Sequence, residues 1–66
     1  MLLREGMVVY TMAGNYTEII KIEDEGEYPV LAEVTSGNES NLVQYSIAGE
    51  FIIGKKSTMD LDLNEL

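Results

Sequence analysis

Neither cysteine nor histidine occurs among the 66 residues, and there is one proline. The first absence removes disulfides and thiol nucleophiles, and the second removes the usual general base. Together they leave no Cys/His zinc site. Cations are scarce as well: four Lys and Arg against twelve Asp and Glu leave a net charge of −8. Such a chain repels nucleic acid and acidic membranes at long range, so direct binding to either is not expected. Long apolar runs are also missing. Arg4, Glu5 and Gly6 interrupt the amino-terminal MLLREGMVVY before a signal-peptide core or a membrane span could form, which points to a soluble, cytoplasmic protein.

What is present fits one domain, 1–66, because a chain this short buries only about 60% of the surface its unfolded form exposes. Its apolar residues come in short β-favouring runs separated by turn residues. Met7 to Met12 ends at Ala13-Gly14-Asn15, where Gly and Asn tolerate a tight turn. In the second run, Tyr16 to Glu23, Ile20 and Ile22 are expected on one face; Ile19 breaks the alternation and fits a second sheet, a bulge or an exposed patch. Pro29 to Thr35 places Val30, Ala32 and Val34 on one side, and the polar turn Ser36 to Ser40 leads to Val43, Tyr45 and Ile47 on a shared face. Glu50 to Ile53 is read as a short fifth strand. Residues 55–66 form a polar, acidic tail in which Leu61 and Leu63 either seal a barrel end or turn helical.

Five short strands can hide their apolar faces only against one another, and a small twisted barrel does so with few exposed edges. The expected class is therefore all-β, a five-stranded barrel; the alternative is a three-stranded sheet with a C-terminal helix.

The segments GMVVYTMAGNYTEIIKI, YPVLAEV and QYSIAGEF resemble small phage-encoded and prophage-encoded accessory proteins with a Src homology 3-like β-barrel. The likeness rests on Gly6, Val8, Tyr10, Gly14, Ile22, Tyr28, Pro29, Val30, Tyr45 and Gly49. The departure is Asn15-Tyr16, where those proteins often carry a second glycine. The resemblance implies a phage accessory protein with a host-modulating role, resident in the host cytoplasm, and it carries over no catalytic residue.

The residues themselves give little support to catalysis. Paired carboxylates need a cleft that separates their pKa values, and a barrel of this size has little room for one. No Walker or dinucleotide glycine spacing is present. Glu23-Asp24-Glu25-Gly26-Glu27 has acids but lacks the alternating ligand positions of a calcium loop. Neither a metal nor a cofactor is expected, and the protein is read as non-enzymatic.

Two binding readings follow. In the first, Glu23, Asp24, Glu25 and Glu27, with Tyr28 beside them and Tyr16 at another turn, dock on the basic surface of a host protein and occlude it, as a counter-defence inhibitor would; the alternative for the acidic stretch is a solvated turn that only keeps the chain soluble. In the second, a homo-oligomer sequesters a nucleotide-derived signal between protomers. Arg4, Lys21, Lys55 and Lys56 would hold its phosphates, and Tyr10, Tyr16 or Tyr45 would stack on its base. Tyr10 and Tyr45 are otherwise read as core residues. A structural role in a virion or larger complex, through an edge strand or the MDLDLNEL tail, is the third reading.

Overall fold

The computed structural model describes residues 3–23 and 25–65. It is an all-β molecule: a four-stranded antiparallel sheet in sequential order, β1 (Val8–Tyr10), β2 (Tyr16–Ile22), β3 (Val30–Ser36) and β4 (Glu39–Tyr45). The strand-forming runs meander because each connection suits a reversal. Gly37, with φ at +62° and Asn38 not left-handed, gives a two-residue turn of the type with glycine first, matching the twist of the flanking strands. At the β1–β2 turn, the Thr11 amide donates to the Asn15 carbonyl at 3.0 Å, and the Thr11 hydroxyl accepts from the Asn15 amide at 3.1 Å.

One face of the sheet is the core. Val9, Ile19, Val30, Ala32, Val34 and Tyr45 are buried on it, and Leu3 and Leu61 cover them from outside the sheet. Buried Thr17 belongs to the same face and satisfies its hydroxyl on the Asn15 carbonyl at 3.2 Å. Full burial of a side chain the size of Ile19 contributes about 1.5–3 kcal/mol.

The expected pairing of Ile20 with Ile22 is corrected by a β-bulge. The register runs Ile19↔Ala32 and then Lys21↔Leu31, so Ile20 is left unpaired and exposed. Inward parity therefore passes from the odd positions, Thr17 and Ile19, to the partly buried Ile22. Of the three readings open for the broken alternation the bulge applies, with Ile20 as its extra residue and Ile19 in the core.

The expected fifth strand over Glu50–Ile53 is not a strand. Ser46 and Glu50 close a loop instead: the Ser46 amide donates to the Glu50 carbonyl at 2.9 Å, and the Glu50 amide to the Ser46 hydroxyl at 3.0 Å. Next comes a tight turn, with an isolated bridge between Ile52 and Lys55. Ile47, expected on the face of Tyr45, lies past the end of β4 and is exposed. The only helix among the described residues is a single 3₁₀ turn, Leu63–Glu65, and none is long and apolar enough to cross a membrane.

The carboxy-terminal segment packs on the core. Leu61 makes an isolated antiparallel bridge with Thr11, and its amide donates to the Gly49 carbonyl at 2.9 Å. Gly49 is needed there twice over. Its φ is +85°, and a Cβ would lie 3.2 Å from that of Leu61.

Candidate functional site

The two residue sets picked out in the sequence meet different fates. Glu23, Glu25 and Glu27 are exposed on the β2–β3 connection, whose ends are pinched together by the Glu23 amide donating to the Pro29 carbonyl at 2.7 Å. Asp24 lies outside the described residues. Glu23 pairs with Lys21 at 3.3 Å, both ends solvated, an arrangement that contributes little to stability. Tyr28 is partly buried, and its hydroxyl accepts the Ile53 amide at 3.1 Å, so its polar tip is occupied in holding the Ile53-Gly54 turn. Tyr16 opens β2 whereas Glu23 follows its end, about 20 Å away at strand rise. It does not join the acidic connection.

The second set does not converge either. Tyr45 is 0% exposed and unavailable for stacking on a ligand. Tyr10, expected in the core, is instead 47% exposed and packs edge-to-face on Tyr16, with ring centroids 6.1 Å apart. Arg4, Lys21, Lys55 and Lys56 are all exposed, and Lys21 lies beside Glu23. Two hollows lie around Met12. One, of about 300 Å³, is lined by Tyr10, Thr11, Gly14 and Asp62; the other, of about 440 Å³, by Lys56, Ser57, Thr58 and Asp60. Each carries a carboxylate, which disfavours a phosphate.

The feature that the strands do assemble is the outer face of the sheet. Across its middle the register aligns Val8, Glu18, Glu33 and Leu42, one residue from each strand. The row beside it reads Tyr10, Tyr16, Thr35 and Ser40, closed by a hydroxyl contact of 3.1 Å between Thr35 and Ser40. Glu18 and Glu33 face each other with no cation paired to either among the described residues. Like charges in direct cross-strand register work against the sheet. Val8 and Leu42, at 41% and 65% exposure, flank them. The result is an apolar strip around two acids, unlike the solvated Glu23, Glu25 and Glu27.

Sequence reading alone missed Glu18 and Leu42, and it placed Glu33 only as the outward neighbour of buried residues. Alternation indicates that Glu18 and Glu33 point out. Their meeting depends on the β2–β3 register, set by the bulge at Ile20 and by a connection whose length does not fix it.

The remaining ionisable group of note is inside. Burial, and secondarily the Asp60 carboxylate, push the Tyr45 phenol up to about 12 from 10.0. Its hydroxyl has no hydrogen-bond partner. Asp60 itself is an organiser, its two carboxylate oxygens accepting the Phe51 amide at 2.9 Å and the Ser57 amide at 3.1 Å. No family model, curated protein or solved structure matches the chain.

Proposed function

We propose that the chain is a non-enzymatic binding protein that docks, through the outer face of its sheet, on a basic and partly apolar protein surface. The observation that carries this reading is the central row Val8, Glu18, Glu33 and Leu42. An arginine or lysine of the partner set between Glu18 and Glu33 would relieve their repulsion, while Val8, Tyr10, Tyr16 and Leu42 would supply desolvated contact around it. The net charge of −8 speeds encounter with a basic surface. The acidic connection at 23–27 contributes to that long-range field rather than to the contact.

This role fits a phage-encoded accessory protein that occludes a host factor whose basic groove ordinarily receives nucleic acid, acting in the host cytoplasm. In that setting the sheet is an incomplete Src homology 3-like barrel. The isolated bridge between Thr11 and Leu61 beside β1 supports that reading.

The test is affinity capture from host extract at physiological salt, followed by titration of the purified partner. Glu18→Gln with Glu33→Gln should weaken that complex by tenfold or more, about 1.4 kcal/mol. Glu23→Gln, Asp24→Asn, Glu25→Gln and Glu27→Gln together should mainly slow association. Unchanged affinity in the Glu18/Glu33 variant would overturn the reading.

A further inference from the structure

We propose that β4 is a self-pairing edge, and that two copies of the chain join antiparallel about Leu42 into one continuous eight-stranded sheet. The two edges of the sheet differ. β1 has three residues, and its outer side is taken: the Asp62 amide donates to the Tyr10 carbonyl and, just past the strand, the Met12 amide to the Asp60 carbonyl, both at 2.8 Å. β4 has seven residues, and it carries no lysine, proline or bulge of the kind that protects an edge.

Turn geometry says which of its backbone groups are free. Ser36 and Glu39 close a two-residue turn, so they exchange both hydrogen bonds, and the pairs alternate from there. Glu39, Asn41, Val43 and Tyr45 direct their amides and carbonyls to β3. Ser40, Leu42 and Gln44 direct theirs outward, and no backbone hydrogen bond from outside the sheet reaches them among the described residues.

Those three positions specify the partner. With a two-fold axis at Leu42, Ser40 meets the second copy's Gln44, Leu42 meets its counterpart, and Gln44 meets Ser40. All three pairs have their backbone groups facing across the seam. Residues 40–44 are uncharged in a chain of net charge −8, so this edge brings together the least repulsive part of two acidic molecules. Glu39 of each copy falls at opposite ends of the seam, about 20 Å from the other, well beyond the physiological screening length of about 8 Å. A parallel arrangement would place the two Glu39 carboxylates side by side. Leu42, the most exposed large hydrophobic residue among those described, meets its own counterpart at the centre of the antiparallel seam.

This inference goes beyond the binding reading above and does not rest on it, because it concerns the purified chain alone. Sedimentation equilibrium from about 1 μM to about 1 mM, the range suited to a small edge interface, should show the mass rise from 7.3 kDa toward twice that value. Over the same range the amides of Ser40, Leu42 and Gln44 should gain protection from hydrogen exchange. Leu42→Lys sets two ammonium groups opposite each other at an exposed position and should raise the dissociation constant by about tenfold or more. Gln44→Lys should weaken pairing to a smaller extent. Glu25→Gln changes the net charge by the same unit as Leu42→Lys but lies off the edge, and should leave pairing unaltered. A chain that stays monomeric throughout overturns the proposal, as would arise were the edge reserved for a foreign strand. A dimer that survives Leu42→Lys and leaves those three amides unprotected overturns it equally.

Discussion

The sheet and the segment that follows it are held by different means. From Val8 to Tyr45 the chain is fixed by repeated backbone ladders over a continuous apolar face, so any one side chain is a fraction of the whole. From Ser46 to Asp62 there is no ladder, only isolated bridges, and a few polar side chains set the path: Ser46 with Glu50, and Asp60 with the amides of Phe51 and Ser57. Stability is thus collective in the first region and concentrated in single groups in the second.

The largest expected effect tests the collective part. Ile19→Ala removes a fully buried side chain at the centre of the sheet and should destabilise the protein by about 2–5 kcal/mol in urea unfolding. For a small domain that approaches the whole margin of stability. Ile20→Ala, one residue along at the bulge, should cost less than about 1 kcal/mol because its side chain is exposed. Equal costs at the two positions would mean that the bulge is misplaced.

That neighbouring pair also shows how far the fold was legible. Val30, Ala32 and Val34 alternate cleanly and are buried as read, and the polar turn after Ser36 reverses the chain between β3 and β4. The period of two carries that information without help from distant residues. At Ile19-Ile20-Lys21-Ile22 it does not, because a bulge changes parity and only cross-strand pairing decides which isoleucine is extra. Tyr10 and Tyr45 present the same difficulty. Both sit in β-favouring runs, yet one points outward to Tyr16 and the other inward beside Phe51. The candidate surface was less legible still, since Glu23, Glu25 and Glu27, the described acids of the run that could be seen, stand in solvent. The pair that the fold brings together, Glu18 and Glu33, is fifteen positions apart. Glu50 to Ile53 has strand composition but no ladder, because the Ser46–Glu50 contacts curl it into a loop.

The next effect tests the concentrated part. Asp60→Ala leaves the Phe51 and Ser57 amides without their acceptor in a partly buried setting, which should cost about 2–3 kcal/mol. The loss should be local first. Hydrogen exchange at the Phe51 and Ser57 amides should accelerate more than at Ile19 and Ala32 in the middle of the sheet. Uniform acceleration across both regions would show that the two unfold as one unit and would remove the distinction.

The smallest effect at neutral pH comes from the group that joins the regions. Tyr45 ends β4, its hydroxyl is buried without a partner, and the Asp60 carboxylate acts on it from the second region. Tyr45→Phe deletes that hydroxyl, so at pH 7 stability should stay within about 1 kcal/mol of the parent, on the stabilising side if the orphaned group outweighs the lost packing. Alkali should magnify the difference. Below pH 10 the phenol is neutral in folded and unfolded chains alike and adds no pH dependence. Between 10 and about 12 the unfolded chain has released the proton while the folded chain retains it, so stability falls with rising pH until the folded phenol ionises as well. The parent should lose on the order of 2 kcal/mol through this window, and Tyr45→Phe should lack that component. Urea midpoints from pH 8 to pH 12 measure it directly, because the two proteins differ at residue 45 alone and all else cancels in the difference. Parallel curves would show that the phenol reaches water in the folded protein, and the seam between ladder and loop would then be open at Tyr45. A divergence that disappears in the Asp60→Asn background would place the effect on the carboxylate's charge. One that persists there would assign it to burial, the larger of the two causes.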